Sequence, residues 1–251
     1  MAVPPVSVTI ITKNAAAHVE HALRSVAWAD ERIVVDCGSD DDTVALARPL
    51  ATRVETREWP GYGPQKNHAA ALATHDWVLS LDADEAITDR LRTEILALPA
   101  APAAAAFRMP RVTWYLGRWI RSTDWYPDRS VRLYDRRRAR WDDRAVHEAL
   151  VADGAISDLA GEIEHRPYAG VSDHLARMDR YTTLAAGQMQ AAGREARTWH
   201  LLVHPMAAFL RNYVARGGWR DGTAGLVVSC MGGVYVLLKY VKLWERQRAG
   251  R

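Results

Sequence analysis

Three short runs in this chain of 251 residues carry side chains able to handle a charged ligand. The first is LDADE, in which Asp82 and Asp84 stand two apart at the end of an apolar run. Two carboxylates at that spacing can reach one hard cation, or a diphosphate bound to it, because Mg2+ and Mn2+ take oxygen ligands and keep several waters. Alone, the pair reads as a solvated acidic turn. The second run is VVDCGSDDDT, where Asp36 precedes a Gly-Ser turn. A carboxylate at such a strand end can accept a hydrogen bond from a base N–H or a ribose hydroxyl, while Asp40, Asp41 and Asp42 suit a helix N-terminus. The third, GYGPQKN, sets Lys66 and Asn67 at the start of a helix, a position that favours phosphate.

Further along, WYPDRSVRLYDRRRARWDDRAVHEAL combines aromatics, arginines and the pair His147–Glu148. A carboxylate beside an imidazole is a candidate general base for a hydroxyl nucleophile. A zinc-protease reading fails, because H-E-x-x-H needs histidine where Val151 stands. Trp125 and Tyr126 suit either stacking on a sugar ring or a place in the core.

These side chains need a frame that brings them together. VSVTIIT (6–12), RIVVD (32–36) and WVLSLDADE (77–85) are the continuous apolar runs of strands buried on both faces. Between them fall helical patterns. One is capped by Asn14 and carries Val19, Ala22, Leu23 and Val26; another spans 43–50; an Ala-rich helix follows GYGPQKN; a fourth is capped by Thr88 and runs to Leu98. Residues 53–58 read as a weak edge strand. The alternation predicts an α/β fold with a mainly parallel sheet flanked by helices. Right-handed crossovers then gather the carboxyl ends of the strands, with Asp36 and Asp82, along one edge, where such folds bind ligands. After PAAPAAAA (99–106) the character changes to strand-like pieces such as RSVRLY (129–134). Helices follow over 172–192 and near 205–216 and 225–247, predicting one domain over 1–165 and a helical region over 166–251. The apolar stretch Ala224–Leu238 is shorter than the roughly 18–20 residues of a membrane span, so no transmembrane helix is expected. Val234, Leu237, Leu238, Val241 and Trp244 share one helix face, which fits a membrane surface or a contact with the rest of the domain.

Composition bounds the chemistry. At 49% hydrophobic and 25% charged, this is the make-up of an ordinary globular chain. Two cysteines, Cys37 and Cys230, are too few for a disulfide framework or a structural zinc site, and no secretory signal is visible, so a cytoplasmic setting is expected. Residues 1–100 hold 9 Lys/Arg against 15 Asp/Glu, whereas residues 101–251 hold 24 against 15. An acidic first half and an arginine-rich second half suit a metal-and-phosphate enzyme or an anionic surface. No nucleic-acid-binding module is readable, and none is expected as a partner. Neither G-x-G-x-x-G after a strand nor G-x-x-x-x-G-K-[ST] occurs, which argues against a nicotinamide dehydrogenase and excludes a P-loop enzyme.

TIITKNA, VVDCGSDDDT and LDADE, in this order and spacing, resemble glycosyltransferase family 2, the inverting transferases of the Rossmann-like GT-A fold. WADE at 28–31, WPGYGPQKN, DWYPDRSVRLY, AVHE and KYVKLWE look more narrowly like the lipopolysaccharide-core glucosyltransferases that act on the inner-core heptose; the likeness spans residues 6–246. That resemblance implies a UDP-sugar donor, UDP-glucose in the narrower group, and a metal-assisted single displacement using Mg2+ or Mn2+. Thr12, Asn14 and Asp36 would line the uridine pocket, with Lys66, Asp82 and Arg132 on the rest of the nucleotide sugar. Asp84 would ligate the metal with His147 beside it, Glu148 would be the base, and Trp125, Tyr126 and Asp128 would shape the sugar or acceptor site. The acceptor would be lipopolysaccharide core at the inner face of the cytoplasmic membrane, or another glycan such as capsule, polysaccharide or peptide-linked sugar. One departure is Cys37, where many members carry a second acid. A silent sugar- or membrane-binding protein on the same scaffold would lack the metal carboxylates or the base, yet Asp82, Asp84 and Glu148 are all present.

Overall fold

A computed structural model describes residues 4–142, 144 and 148–249. In chain order the elements are β1 (Val6–Thr12), α1 (Val19–Ser25), β2 (Glu31–Asp36), α2 (Thr43–Ala47), β3 (Arg53–Thr56), α3 (Tyr62–Ala71), β4 (Trp77–Asp82), β5 (Glu85–Ile87), α4 (Asp89–Leu96) and β6 (Ala106–Tyr115). After them come β7 (Arg118–Ile120), β8 (Asp128–Asp135), β9 (Ala139–Trp141), β10 (Leu150–Ala152), β11 (Ile156–Asp158), β12 (Ile163–His165), α5 (Val171–Ala191), α6 (Thr198–Leu210) and α7 (Gly222–Ala249). The chain divides into two compact units. The first holds the residues up to Arg111 and Asp128–Arg166; the second holds Val112–Pro127 and the residues from Pro167 on.

In the first unit the strands lie in the order β3-β2-β1-β4-β8-β6-β12-β5, with β11 also on β6. The four strands β3, β2, β1 and β4 are mutually parallel, and β8 joins β4 antiparallel. The sheet is thus parallel where α/β crossovers build it and mixed beyond. The period of two along the strands feeds two cores. Val6, Val8, Ile10 and Val34 pack with Val19 and Leu23 of α1 and Leu91 and Ile95 of α4, while Ile11, Ile33 and Val35 pack with Ala69 and Ala70 of α3. Coverage of both faces is why β1 is buried along its whole length. Truncating a fully buried residue such as Ile10 to Ala would cost about 2–5 kcal/mol.

Local differences from the sequence pattern have local causes. Asn14 does not cap α1, which begins at Val19; it sits at φ 49° in the loop after β1. Lys66 lies one turn inside α3, which starts at Tyr62, so its own N–H is not a free helix end. Thr88 does cap α4, its hydroxyl accepting from the Leu91 N–H at 3.2 Å.

The second unit is built on α5, α6 and α7. α6 starts at Thr198 and not near 205, because Pro205, a residue that ordinarily marks a first turn, lies inside it. α7 runs for 28 residues, well past Leu238. By length and composition alone the stretch Gly218–Arg248 is long and apolar enough to cross a membrane. Its glycines serve close approach: a Cβ on Gly225 would stand 1.9 Å from the Gly218 carbonyl oxygen, and one on Gly233 3.1 Å from the Pro205 carbonyl oxygen. Leu243 is fully buried with Ala186 and Ala196.

Candidate active site

Parallel register fixes the site's edge. Thr12 pairs with Asp36 and Ile11 with Asp82, so the carboxyl ends of β1, β2 and β4 are level. Asp36 is buried, and its carboxylate is filled by its own surroundings: it accepts from Thr12 Oγ1 (2.9 Å), from the N–H groups of Gly38 and Ser39 (2.9 and 2.8 Å) and from Ser39 Oγ (2.5 Å). Asn14 ties the neighbouring loops together, donating its N–H to Ser39 Oγ and accepting from the Asp40 N–H. Asp41 likewise accepts from the Ala16 and Thr43 N–H groups. These residues shape a rigid double loop at the edge. Cys37 is buried, burial raises its thiol pKa, and Gln65 Nε2 donates to its sulfur at 3.3 Å.

A buried charge cluster stands beside this loop. Asp82 is held by both oxygens: Oδ1 lies 3.1 Å from Lys66 Nζ, and Oδ2 accepts from Arg132 Nη2 at 2.6 Å. Burial alone would raise the Asp82 pKa, but Arg132 and then Lys66 outweigh it and hold the group well below the usual carboxylate range. Lys66 Nζ also donates to Glu148 Oε1 at 2.8 Å and sits 4.5 Å from the centre of the Trp141 ring. Arg132 donates from the same Nη2 to Glu85 Oε1 at 2.6 Å, and its pKa is raised because Asp82 and Glu85 overcome burial. Its Nε and Nη1 are buried and have no hydrogen-bond partner among the described residues, though the guanidinium lies 5.9 Å from the centre of the Trp141 ring. A buried guanidinium with two unmet donors is suited to an anion that brings its own acceptors.

Asp84 occupies the turn between β4 and β5, with Oδ2 3.5 Å from His165 Nε2. Burial pushes its pKa up, and the His165 contact outweighs burial to leave it below the ordinary value. His165 Nδ1 is buried without a partner among the described residues. An oxygen and a nitrogen donor side by side fit a divalent cation that takes its remaining ligands from outside the chain, and no group of three His, Cys, Asp or Glu gathers among the described residues.

Thr12, Asp36, Lys66, Asp82, Asp84, Arg132 and Glu148 thus all belong to the first unit, and four of them, Lys66, Asp82, Arg132 and Glu148, are joined by direct contacts. His147 lies outside the described residues. Asp128 is also in the first unit, where its carboxylate accepts from Arg111 Nε at 2.9 Å; Arg111 Nη1 in turn donates to Glu85 at 2.9 Å. Trp125 and Tyr126 belong to the second unit. Trp125 stacks on Tyr168 and lines a cavity of about 390 Å3 with His174, Arg177 and Lys239. Tyr126 has Arg121 5.6 Å from its ring centre.

Sequence reading missed Glu85, Arg111, Trp141 and His165. Glu85 had a signal, the last acid of LDADE. Asn67, read as a phosphate neighbour, instead grips the Trp141 backbone, donating to its carbonyl at 2.8 Å and accepting its N–H at 2.9 Å. That clamp fixes the hairpin of β9 and β10, from whose connecting loop Glu148 reaches Lys66.

The family model of glycosyl transferase family 2 matches residues 7–159. The lipopolysaccharide core biosynthesis glycosyltransferase LpsC of Rhizobium meliloti (strain 1021) is 30% identical over 251 residues, which cover 96% of this chain and 93% of that protein. An uncharacterized glycosyltransferase of Rickettsia felis is 28% identical over 257 residues, covering 96% and 89%. Among solved structures, mannosyltransferase PcManGT from Pyrobaculum calidifontis, in complex with GDP-Man and Mn2+, matches 98% of this chain and 89% of its own with a TM-score of 0.55 at 18% identity. That likeness is one of fold.

Proposed function

The chain belongs to glycosyl transferase family 2 and is a GT-A glycosyltransferase, and on that premise we propose that it moves a hexose from a UDP-sugar, UDP-glucose first among candidates, to a lipopolysaccharide inner-core acceptor with inversion. The observation that carries the reading is Arg132: a buried cation with two unmet donors, beside Asp82 and Lys66 at the carboxyl edge of the sheet. Its open donors suit the diphosphate of a nucleotide sugar. The double loop of Thr12, Asn14 and Asp36 is the seat for the uridine.

Asp84 and His165 would hold the Mg2+ or Mn2+, which when bound would supply positive charge for a departing diphosphate. Arg132 and Lys66 add fixed positive charge where negative charge develops, which lowers the barrier without reorganisation during reaction. Glu148 accepts the proton of the acceptor hydroxyl as its oxygen bonds to the anomeric carbon and the bond from that carbon to the diphosphate oxygen breaks. Lys66, which contacts both Glu148 and Asp82, positions the base relative to the donor. His147, beside Glu148 in sequence, keeps its proposed role near metal or phosphate. Trp125, itself stacked on Tyr168, and Tyr126 keep their proposed place as aromatic neighbours of acceptor sugars, and Asp128 its place as a hydroxyl-binding candidate. The relative named for lipopolysaccharide core biosynthesis supports that acceptor class. The reading sets the enzyme in the cytoplasm, peripheral on the inner face of the cytoplasmic membrane where such an acceptor is presented.

A panel of UDP-sugars with Mn2+ or Mg2+, scored for UDP release with and without EDTA, tests this. Turnover of one UDP-sugar that EDTA stops and that Asp84→Ala and Glu148→Ala both lose is the expected result. Failure to bind any UDP compound would sink the nucleotide-sugar reading.

A further inference from the structure

The helix α6 leaves most of its large apolar side chains uncovered. Trp199, Leu202, Val203, Met206, Leu210 and, in the turn that continues it, Val214 recur at the spacing of one helix face, and all six are exposed, from 49% at Leu210 to 71% at Leu202. The side turned to α7 is mixed: Phe209 packs against Gly233 and Ala208 is buried, with polar groups among them. His200 stacks on Tyr240 with ring centres 5.0 Å apart, the Pro205 carbonyl faces Gly233, and the buried Asn212 faces Gly232. A helix packed for water would put residues such as Leu202 and Met206 on its covered face. Single exposed apolar residues need no explanation, but six on one stripe mark a surface meant for an apolar medium.

Charge identifies the medium. Residues 196–220 contain no Asp or Glu, while Arg197, Arg211, Arg216 and Arg220 flank the stripe. Asp124 pairs with both Arg211 and Arg216, and Glu195 approaches Arg197 at 3.6 Å, so positive charge is left over. Burial, and behind it Arg194 and Arg211, lower the pKa of the neighbouring Lys239. Trp199 near the start and Trp219 beyond the end, the latter 60% exposed, supply amphipathic rings of the kind found at a lipid headgroup level. From Trp199 to Val214 the stripe is roughly 22 Å long by helical rise, a length that lies along a surface. A second copy of the chain fits poorly, since a two-fold contact through the stripe would bring the same arginines together.

We propose that α6 lies in the plane of an anionic lipid bilayer with this stripe among the acyl chains and the arginines at the headgroups, so that α6 is a membrane contact that the sequence pattern did not single out. This deepens the membrane-surface part of the function proposed above and rests on it. α7 serves as the platform that holds α6.

Flotation with vesicles of phosphatidylethanolamine and phosphatidylglycerol tests it on the full chain, beside vesicles of phosphatidylcholine alone. The protein is expected to float with the anionic vesicles, to be released by high salt, and to lose about tenfold or more of that partitioning in the triple variant L202Q/M206Q/L210Q. The same variant is expected to keep its melting temperature and its EDTA-sensitive UDP release, since none of the three touches the nucleotide site. Hydrogen exchange of the unaltered protein gives an independent reading: residues 198–215 should exchange more slowly once anionic vesicles are added. No flotation, equal flotation with phosphatidylcholine, no change in exchange over 198–215, or a lipid-free dimer that the triple variant dissolves would each overturn the proposal. The transferase reading is judged separately, by donor turnover without vesicles.

Discussion

Glu85 Oε1 lies 2.6 Å from Arg132 Nη2, and both side chains are almost wholly removed from solvent. Glu85 also accepts from Arg111 Nη1 at 2.9 Å, and its other oxygen accepts the Asp82 N–H at 3.0 Å. One carboxylate therefore holds the Arg132 guanidinium, the backbone of the first D-x-D acid, and the arginine bound to Asp128.

Removing that carboxylate separates stability from function. Glu85→Ala leaves two buried or half-buried guanidiniums short of an acceptor, and a loss of about 3–5 kcal/mol is expected in urea unfolding. Glu85→Gln keeps shape and one acceptor oxygen, so it should fold. Its expected defect is weaker UDP-sugar binding by calorimetry, because Arg132 is no longer held in place.

Lys66 is shared between two carboxylates, so substitutions around it should not add. Lys66→Met leaves Asp82 and Glu148 without their common cation. Adding Glu148→Gln removes part of that imbalance, and the double variant should be less destabilised than the sum of the singles by about 1–3 kcal/mol. Additive losses in urea unfolding would show that the 2.8 Å contact carries no energy.

The metal reading turns on Asp84 and His165. Mn2+-dependent UDP binding, followed by calorimetry, should weaken about tenfold or more in Asp84→Ala and in His165→Ala, while binding without metal changes little. An unaltered Mn2+ response in His165→Ala would leave His165 as a neighbour only.

Much of this edge is legible in the residues themselves. The apolar runs of β1, β2 and β4 leave no other place for Asp36 and Asp82 than level strand ends, and the D-x-D spacing marks Asp84. His165 could not be found that way. It comes to Asp84 because β12 pairs antiparallel with β5, setting His165 opposite Glu85, and the two strands are far apart in sequence. Arg111 reaches the cluster through the pairing of β6 with β8. Neither contact has a local signature. Asn14 and Lys66 carry the right residue types, but their positions relative to helix starts depend on loop packing, so a reading by spacing put them at ends they do not occupy. The stripe on α6 was hidden by Pro205, which normally signals a beginning and here falls in the middle.

Acid should loosen the first unit through Asp135. Arg137 donates to its carboxylate from the backbone and from Nε and Nη2, which lowers its pKa against the opposing effect of burial. A carboxylate whose pKa is depressed on folding gives stability that is full above its unfolded value of about 3.9 and is lost as pH falls through the folded value. Asp135→Asn should therefore cost stability at pH 7 and cost less at pH 3. Urea midpoints of both proteins at the two pH values should converge on the acid side; parallel midpoints would assign the acid sensitivity elsewhere.

The close passage at Gly225 sets the last expectation. Its missing Cβ would fall 1.9 Å from the Gly218 carbonyl oxygen and 2.9 Å from Asp221 Cβ. The nearer atom is backbone, so no rotamer change relieves the clash and the turn before α7 must move. That turn carries Asp221, which is buried and accepts the Arg121 N–H at 2.9 Å. Gly225→Ala should cost about 3 kcal/mol or more, beyond the ordinary gain from replacing a helical glycine by alanine. Gly187→Ala is the matched control: in mid-helix on α5, its nearest foreign atom would be the flexible Arg246 guanidinium at 3.6 Å. It should be neutral or slightly stabilising, since alanine is the better helix former by roughly 1 kcal/mol. Thermal melts should then fall for Gly225→Ala and hold or rise slightly for Gly187→Ala, and a shared downward shift would mean that the second unit tolerates no added methyl in its helices rather than a specific contact at Gly218.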